Sequence, residues 1–224
     1  MDAHLRAGIA IYNEGYYHAA HDAWEEHWMG LSEGSDKDFL QGLIQFTAAV
    51  YHTTTENWIG ARKLSTKAQT YLDGLEDSYR GVDLRPVRYH LRALERDPER
   101  VSSESPPAIE HDGDALGFEA LDFEATAVAT TVLAEEWGYD ETTFERAVEY
   151  ARRDIEDGNE TSPFVALLFD FVREGKRSAL SDGASGDHSD ASATHVDHRG
   201  IIAQRVGEHV DRRDSRESDV SGLF

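Results

Sequence analysis

The segment "HAAHDAWEEHW", residues 18–28, holds side chains that can bind a metal ion or transfer a proton. His21, Glu25 and Trp28 follow one another at intervals of four and three residues, which places them on one face of a helix. Trp24 flanks this face, and two tryptophans so close together are too large to remain exposed without a reason. We therefore expect the face to turn inward and to carry His21 and Glu25 with it.

A second polar stripe interrupts the apolar segment "FLQGLIQFTAAVYH", residues 39–52. A helix that is apolar on almost every side is typical of a buried helix. Gln41, Gln45 and His52 nevertheless share one stripe, because they are spaced by four and seven residues. Buried amides and imidazoles need hydrogen-bond partners. The economical arrangement sets this stripe against the histidine and glutamate of the first segment, which predicts a polar cluster inside a helical bundle.

This cluster admits three interpretations. In the first, His21, Glu25 and His52 bind a divalent metal ion with open positions for water or substrate, as in a metal-dependent hydrolase or lyase. In the second, the same residues form a metal-free acid–base pair. In the third, they form a hydrogen-bonded network that fixes the register of the helices. The sequence contains no "HExxH" motif, so these interpretations stay open and no enzymatic activity is assigned.

Helical periodicity predicts the elements that position the cluster. The chain is predicted to be all-α, with an N-terminal bundle of about four helices at residues 5–13, 16–31, 37–53 and 58–75 and a helical C-terminal extension. The predicted divisions are a bundle at 1–96, an irregular linker at 97–117, a helical extension at 118–176, a disordered stretch at 177–198, and a terminal helix and tail at 199–224.

Charge is the strongest compositional signal, with 44 acidic against 22 basic residues and a net charge of −22. Diffuse acidity with only four lysines is typical of salt-adapted proteins, in which molar salt screens the repulsion between acids. No basic patch stands out, so we expect no nucleic-acid partner. No apolar run is long enough to span a membrane, and cysteine is absent. These features predict a cytoplasmic protein.

A non-catalytic binding or assembly module is the second class of function that the sequence allows. In that case the bundle would offer a face to a protein partner or to a second copy of the chain. The terminal "DVSGLF" could then serve as a docking tail, with Leu223 and Phe224 as its anchors.

Several sequence blocks resemble the domain-of-unknown-function family 309: "YNEGYYHAAHDAWEEHW" (12–28), "QGLIQ" (41–45), His52 and "NWIGA" (57–61). The motif positions of this family fall on Asn13, Gly15, His21, Glu25, Trp28, Gln41, Gly42, Gln45, His52, Asn57, Gly60 and Ala61. The resemblance implies an all-helical bundle and no established activity. The candidate binding pocket then comprises His21, Glu25, Trp28, Gln41, Gln45, His52 and Asn57.

Overall fold

The computed structural model describes residues 1–159, 161–182 and 198–221. The chain divides into two compact units, Met1–Ala129 and Thr130–Phe224. Helices account for most of both units, so the predicted all-α fold is confirmed. In the part of the chain that the structure describes, no helix combines the length and the apolarity that a membrane span requires.

Four helices open the first unit: α1 (Asp2–Asn13), α2 (Tyr17–Met29), α3 (Ser35–Thr54) and α4 (Trp58–Leu72). Each helix packs against the next, because the connections of three to five residues leave no room for another arrangement. The chain leaves α1 through Gly15, whose φ of +90° is a conformation that glycine adopts without strain. The predicted N-terminal bundle of about four helices is thus confirmed.

Two glycines allow the helices of this bundle to approach closely. A Cβ atom at Gly42 would lie 2.4 Å from Cδ2 of Leu72, so only glycine fits where α3 meets α4. A Cβ atom at Gly8 would lie 2.1 Å from Nε1 of Trp24. That indole is fully buried and donates a hydrogen bond to the Leu5 carbonyl at 3.3 Å. Close packing therefore accounts for the glycine of "QGLIQ".

The rest of the first unit is built from short elements. They are β1 (Ser78–Tyr79), β2 (Val82–Asp83), α5 (Leu84–Arg96), α6 (Pro98–Val101), β3 (Glu110–His111), β4 (Asp114–Ala115) and a 3-10 turn at Phe118–Ala120. The strands form an antiparallel sheet in the order β1-β2-β3-β4. The stretch 97–117 was predicted to be an irregular linker, whereas it contains α6 and the β3–β4 hairpin. Two-residue strands are too short to leave a periodic pattern in the sequence.

The side chain of Asn13 fastens this hairpin to α1. Its Nδ2 donates to the carbonyls of Ile109 at 3.0 Å and Leu116 at 2.9 Å. Its Oδ1 accepts a hydrogen bond from the backbone N–H of Ile109 at 2.9 Å. Asn13 thus satisfies three backbone groups about one hundred residues away along the chain.

The second unit contains the end of α7 (Phe123–Glu136), in which the boundary between the units falls, and α8 (Glu141–Glu156), α9 (Pro163–Asp182) and α10 (His198–Ser221). The last three pack against one another, which confirms the predicted helical C-terminal extension. Most of the stretch predicted to be disordered, residues 183–197, lies outside the described residues. So does the end of the predicted docking tail, residues 222–224.

Candidate functional site

Helices α2 and α3 pack against each other along their length. At one end, the His18 and Tyr51 rings lie 5.5 Å apart between centroids. At the other end, Nζ of Lys37 lies 5.2 Å from the centroid of the Trp28 ring. Two contacts at opposite ends fix the antiparallel register of the helices between them. We call the stretch between these contacts the α2–α3 seam.

The register of the seam places four of the predicted residues at similar heights along the two helices. With a rise of about 1.5 Å per residue, Gln41 lies level with Glu25, and Gln45 lies within about one turn of His21. The need of buried amides and imidazoles for hydrogen-bond partners predicts that these two stripes face each other. The helix register is consistent with that arrangement.

Three ligand-type side chains cluster on the α2 side of the seam. Nδ1 of His21 lies 2.8 Å from Oδ1 of Asp22 and 3.9 Å from Oε2 of Glu25. One ligand atom from each of the three side chains lies within 4.8 Å of the others. We call this set the His21–Asp22–Glu25 cluster. It is the only such group of three among the residues that the structure describes.

The electrostatics of the cluster favour positive charge. The hydrogen bond with Asp22 raises the pKa of His21, and the negative charges of Asp22 and Glu25 raise it further. Partial burial acts in the opposite direction but does not cancel them. Two carboxylates that stabilise an imidazolium would also stabilise a metal cation in its place, once the imidazole has lost its proton.

The seam is half-exposed, whereas the sequence analysis expected it to be buried. The side chains of His21 and Glu25 are 28% and 46% exposed. Trp24 takes the inward position and is fully buried, while Trp28 is only half-buried. The physical reason is that the Trp24 indole alone packs against α1, where its Nε1 donates to the Leu5 carbonyl. The stripe beside it is left open to solvent.

His52 does not take part in the cluster, although the sequence analysis proposed it as the third metal ligand. Its Nδ1 lies 3.0 Å from Nδ2 of Asn57, and its ring lies beside that of Tyr51. Asn57 also caps α4, because its Oδ1 accepts a hydrogen bond from the Gly60 N–H at 3.0 Å. His52 and Asn57 therefore join the end of α3 to the start of α4.

Two further seam atoms are buried without a hydrogen bond. Oε1 of Gln45 and Nε1 of Trp28 have no hydrogen-bond partner among the described residues. Such orphaned atoms are uncommon in folded proteins and often indicate a water, ion or ligand. The Gln45 oxygen is an acceptor at about the level of His21, so it can accept from a water or contribute to binding a cation.

Asp22 is the member of the cluster that sequence reasoning missed. Neighbouring residues on a helix point about 100° apart, so helical spacing alone places Asp22 on a different face from His21 and Glu25. Its short side chain nonetheless reaches back to the imidazole of His21. The sequence did contain a signal, since an aspartate directly after a histidine can hydrogen-bond to the ring nitrogen Nδ1.

A groove lies between α4 and α5, and several of its polar side chains are already paired with other groups of the protein. This groove has a volume of about 420 Å³. Glu95 accepts hydrogen bonds from Thr66 at 3.2 Å and Gln69 at 3.0 Å. Arg88 binds Asp77 at 2.8 Å and the Leu75 carbonyl at 2.6 Å. These bonds explain the groove as a polar helix–helix contact.

Comparison with known proteins adds one match, which covers the seam. No curated protein shows a significant sequence match to this chain. The family model described as "Domain of unknown function (DUF309)" matches residues 5–64, from α1 to the first half of α4. This span contains both polar stripes and the His21–Asp22–Glu25 cluster, and it confirms the resemblance of the N-terminal segment to the DUF309 family.

Proposed function

We propose that the α2–α3 seam binds a divalent metal ion through His21, Asp22 and Glu25 and uses it to activate water. The observation that carries this proposal is the cluster itself, in which three potential ligand atoms lie within 4.8 Å of one another. One imidazole and two carboxylates form a mixed nitrogen–oxygen donor set that suits zinc, manganese or iron. The orphaned Gln45 oxygen supports the proposal from the facing helix.

The exposure of the seam fits a reactive metal site better than a structural one. Structural zinc sites are closed by four protein ligands, whereas catalytic sites keep a position for water. Three ligands on a half-exposed helix face leave such positions open to solvent. A bound metal ion would lower the pKa of a coordinated water and supply a nucleophile. The class of function that follows is a metal-dependent hydrolase or lyase.

Metal binding to the full-length protein tests the proposal directly. We would measure the binding of Zn²⁺ and Mn²⁺ by isothermal titration calorimetry, with untagged protein in KCl. The wild type is expected to bind near one equivalent. Glu25→Gln and His21→Ala are each expected to weaken binding at least about 100-fold, because each removes one of three ligands.

Glu26→Gln is the matched control for Glu25→Gln. Glu26 is the neighbouring residue of the same type, its side chain is 82% exposed, and it faces His4 rather than the cluster. This control should bind metal as the wild type does. Equal weakening by both glutamine variants, or no binding to the wild type, would show that the cluster is not a metal site.

A metal-free acid–base pair is the second candidate, and the 2.8 Å contact between His21 and Asp22 favours it. In that case Asp22 orients the imidazole and raises its proton affinity, as in a histidine–carboxylate dyad. The calorimetry separates the two candidates. A wild type that binds no metal, with a His21 pKa that drops in Asp22→Asn by NMR titration, would favour the dyad.

We further propose that this site works in the cytoplasm of a salt-rich cell and not on nucleic acid. The supporting observations are the net charge of −22, the four lysines and the absence of cysteine. Whether the bundle also associates with a second copy or a protein partner can be read from light scattering on the same samples. Because salt screens acidic repulsion, the fold should be more stable in molar KCl than at low salt.

A further inference from the structure

The motif "RRDSR" near the C-terminus, residues 212–216, separates its charges in three dimensions. It lies within α10, where Arg212 and Arg216 are one turn apart on the same face. Asp214 points to α8 instead, where its carboxylate accepts hydrogen bonds from Arg146 and Tyr150. Because Asp214 is engaged with α8, Arg212 and Arg216 remain together on another side of the helix.

These arginines line a cavity of about 260 Å³ inside the second unit. Its basic lining residues are Arg212, Arg213, Arg216 and His209, all from α10. Asp154 of α8 is the one carboxylate in the lining, and Asn159 and Phe164 complete its wall. Glu208 and Glu217 of the same helix pair with Arg212 and Arg213, so Arg216 is the lining arginine that keeps a positive charge uncompensated by any described residue.

The cavity is partly organised in advance by its neighbours. Asp154 is almost fully buried, accepts from Ser162 Oγ at 2.8 Å and binds Nη1 of Arg213 at 3.1 Å. Arg212 binds Glu208 at 2.9 Å on the same helix. Arg216 makes no ion pair with any residue that the structure describes. Its guanidinium is thus available to a ligand.

His209 lies in the wall of the cavity beside these arginines. Its ring packs edge-on against Phe164, with 5.9 Å between centroids. Burial lowers the pKa of His209, and the positive charges of Arg212, Arg205 and Arg216 lower it further, although Glu208 acts against them. An imidazole in this position reports directly on whether an anion enters the cavity.

We infer that the cavity lined by Arg212, Arg213, Arg216 and His209 binds a phosphoryl group, as free phosphate or as the end of a small phosphate monoester. Guanidinium groups match phosphate oxygens in geometry and form charge-assisted hydrogen bonds with them. The guanidinium of Arg216, which has no ion pair among the described residues, supplies the positive charge that attracts the phosphate oxygens. The volume lies below the roughly 300 Å³ at which sites for drug-sized ligands begin, so it suits one phosphoryl group rather than a whole nucleotide.

Calorimetry and NMR on the full-length chain test this inference. Inorganic phosphate, phenyl phosphate and acetate would be titrated into the protein in KCl, with the His209 side-chain resonances followed in parallel. Phosphate is expected to bind and shift the His209 signals, and acetate to bind at least about tenfold more weakly because it offers fewer acceptors and less charge. Tighter binding of phenyl phosphate would identify a monoester, and equal or weaker binding would identify free phosphate.

Arg216→Gln and Arg205→Gln form a matched pair of variants. Both remove one exposed arginine from α10, but only Arg216 lines the cavity. Arg216→Gln should weaken phosphate binding about tenfold, and Arg205→Gln by less than about twofold. If both variants lost the same amount of phosphate affinity, the binding would reflect general attraction to the positive charge of α10, and the inference would be overturned. It would also be overturned by the absence of any phosphate-induced shift of His209, or by binding of acetate as tight as that of phosphate.

Discussion

The α2–α3 seam and the cavity lined by arginines of α10 surround a histidine with opposite charges in the same acidic protein. In the seam, two carboxylates surround a histidine and raise its pKa. In the cavity, burial and the surrounding arginines lower the pKa of His209. The first environment suits a cation and the second an anion. The comparison teaches that the side chains sharing one face of a helix, rather than the overall composition of the chain, decide which ion a local surface can bind.

The two regions also differ in how firmly they are held. The cavity is organised around Asp154, whose side chain is 5% exposed and paired with Arg213. The seam has no comparable buried anchor among the described residues, and its acids are 38% and 46% exposed. A ligand at the seam must therefore replace water, whereas the cavity keeps part of its geometry without a ligand.

The largest expected effect distinguishes two sets of metal ligands: the His21–Asp22–Glu25 cluster of the structure, and the sequence-derived set in which His52 replaces Asp22. Asp22→Asn should weaken binding of Zn²⁺ at least about 100-fold, because it removes a ligand of the cluster. His52→Ala should change the affinity less than about threefold, since His52 contacts Asn57 instead. Calorimetry on both variants provides the measurement. A larger loss in His52→Ala would restore the ligand set first inferred from the sequence.

The next effect concerns stability and sharpens the contrast in burial. Asp154→Asn should lower the free energy of unfolding by about 2 kcal/mol, because it breaks a buried ion pair with Arg213. Glu25→Gln, on the half-exposed seam, should change it by less than about 0.5 kcal/mol. Urea denaturation in KCl measures both. Similar losses would mean that the two regions are anchored alike.

A pH series tests the sign of the seam electrostatics. Metal must displace the proton of His21, so affinity should fall about tenfold per pH unit once the pH drops below the pKa of that histidine. Because the hydrogen bond to Asp22 raises this pKa, the decline should begin above pH about 6.5. Zn²⁺ titrations from about pH 5 to about pH 8 follow this decline. An affinity that stays constant across this range would exclude His21 as a ligand.

The smallest effect is expected at the junction of α3 and α4. Asn57→Ala removes the N-cap of α4 and should cost about 1 kcal/mol in the free energy of unfolding. Metal affinity at the seam should stay unchanged. Thermal unfolding and calorimetry on one sample would show both. If metal binding were also lost, the helix cap at Asn57 would be coupled to the His21–Asp22–Glu25 cluster, and the junction of α3 and α4 could not be treated as separate from the metal site.

Much of the first unit could be predicted from the sequence, because its helices have strong periodicity. The four bundle helices were placed within a few residues of their observed ends, and His21 and Glu25 were found through their spacing of four. Asp22 was missed because its contact depends on side-chain reach. The half-exposure of the seam was also missed, since it follows from Trp24 alone filling the core.

The features that could not be predicted depend on contacts between distant parts of the chain. The position of the His52 ring depends on its contact with Asn57, and Asn57 lies beyond the end of α3, the helix that carries His52. The arginine cavity could not be predicted because the arginines of "RRDSR" stand among acids along the chain. Only the contacts of Asp214 with α8 show that the aspartate lies on a different side of α10 from Arg212 and Arg216. Periodicity describes one helix at a time and carries no information about such partners.

Asn13 has a consequence for where this protein tolerates change in length. Its amide holds the backbone on both sides of the β3–β4 hairpin, at Ile109 and Leu116, so the chain between α6 and α7 is not a free tether. Insertions in evolution or engineering should be accommodated at the exposed tip formed by Asp112 and Gly113, outside this clasp. For the same reason, an independently expressed N-terminal fragment should extend at least through Leu116 and not stop at residue 96.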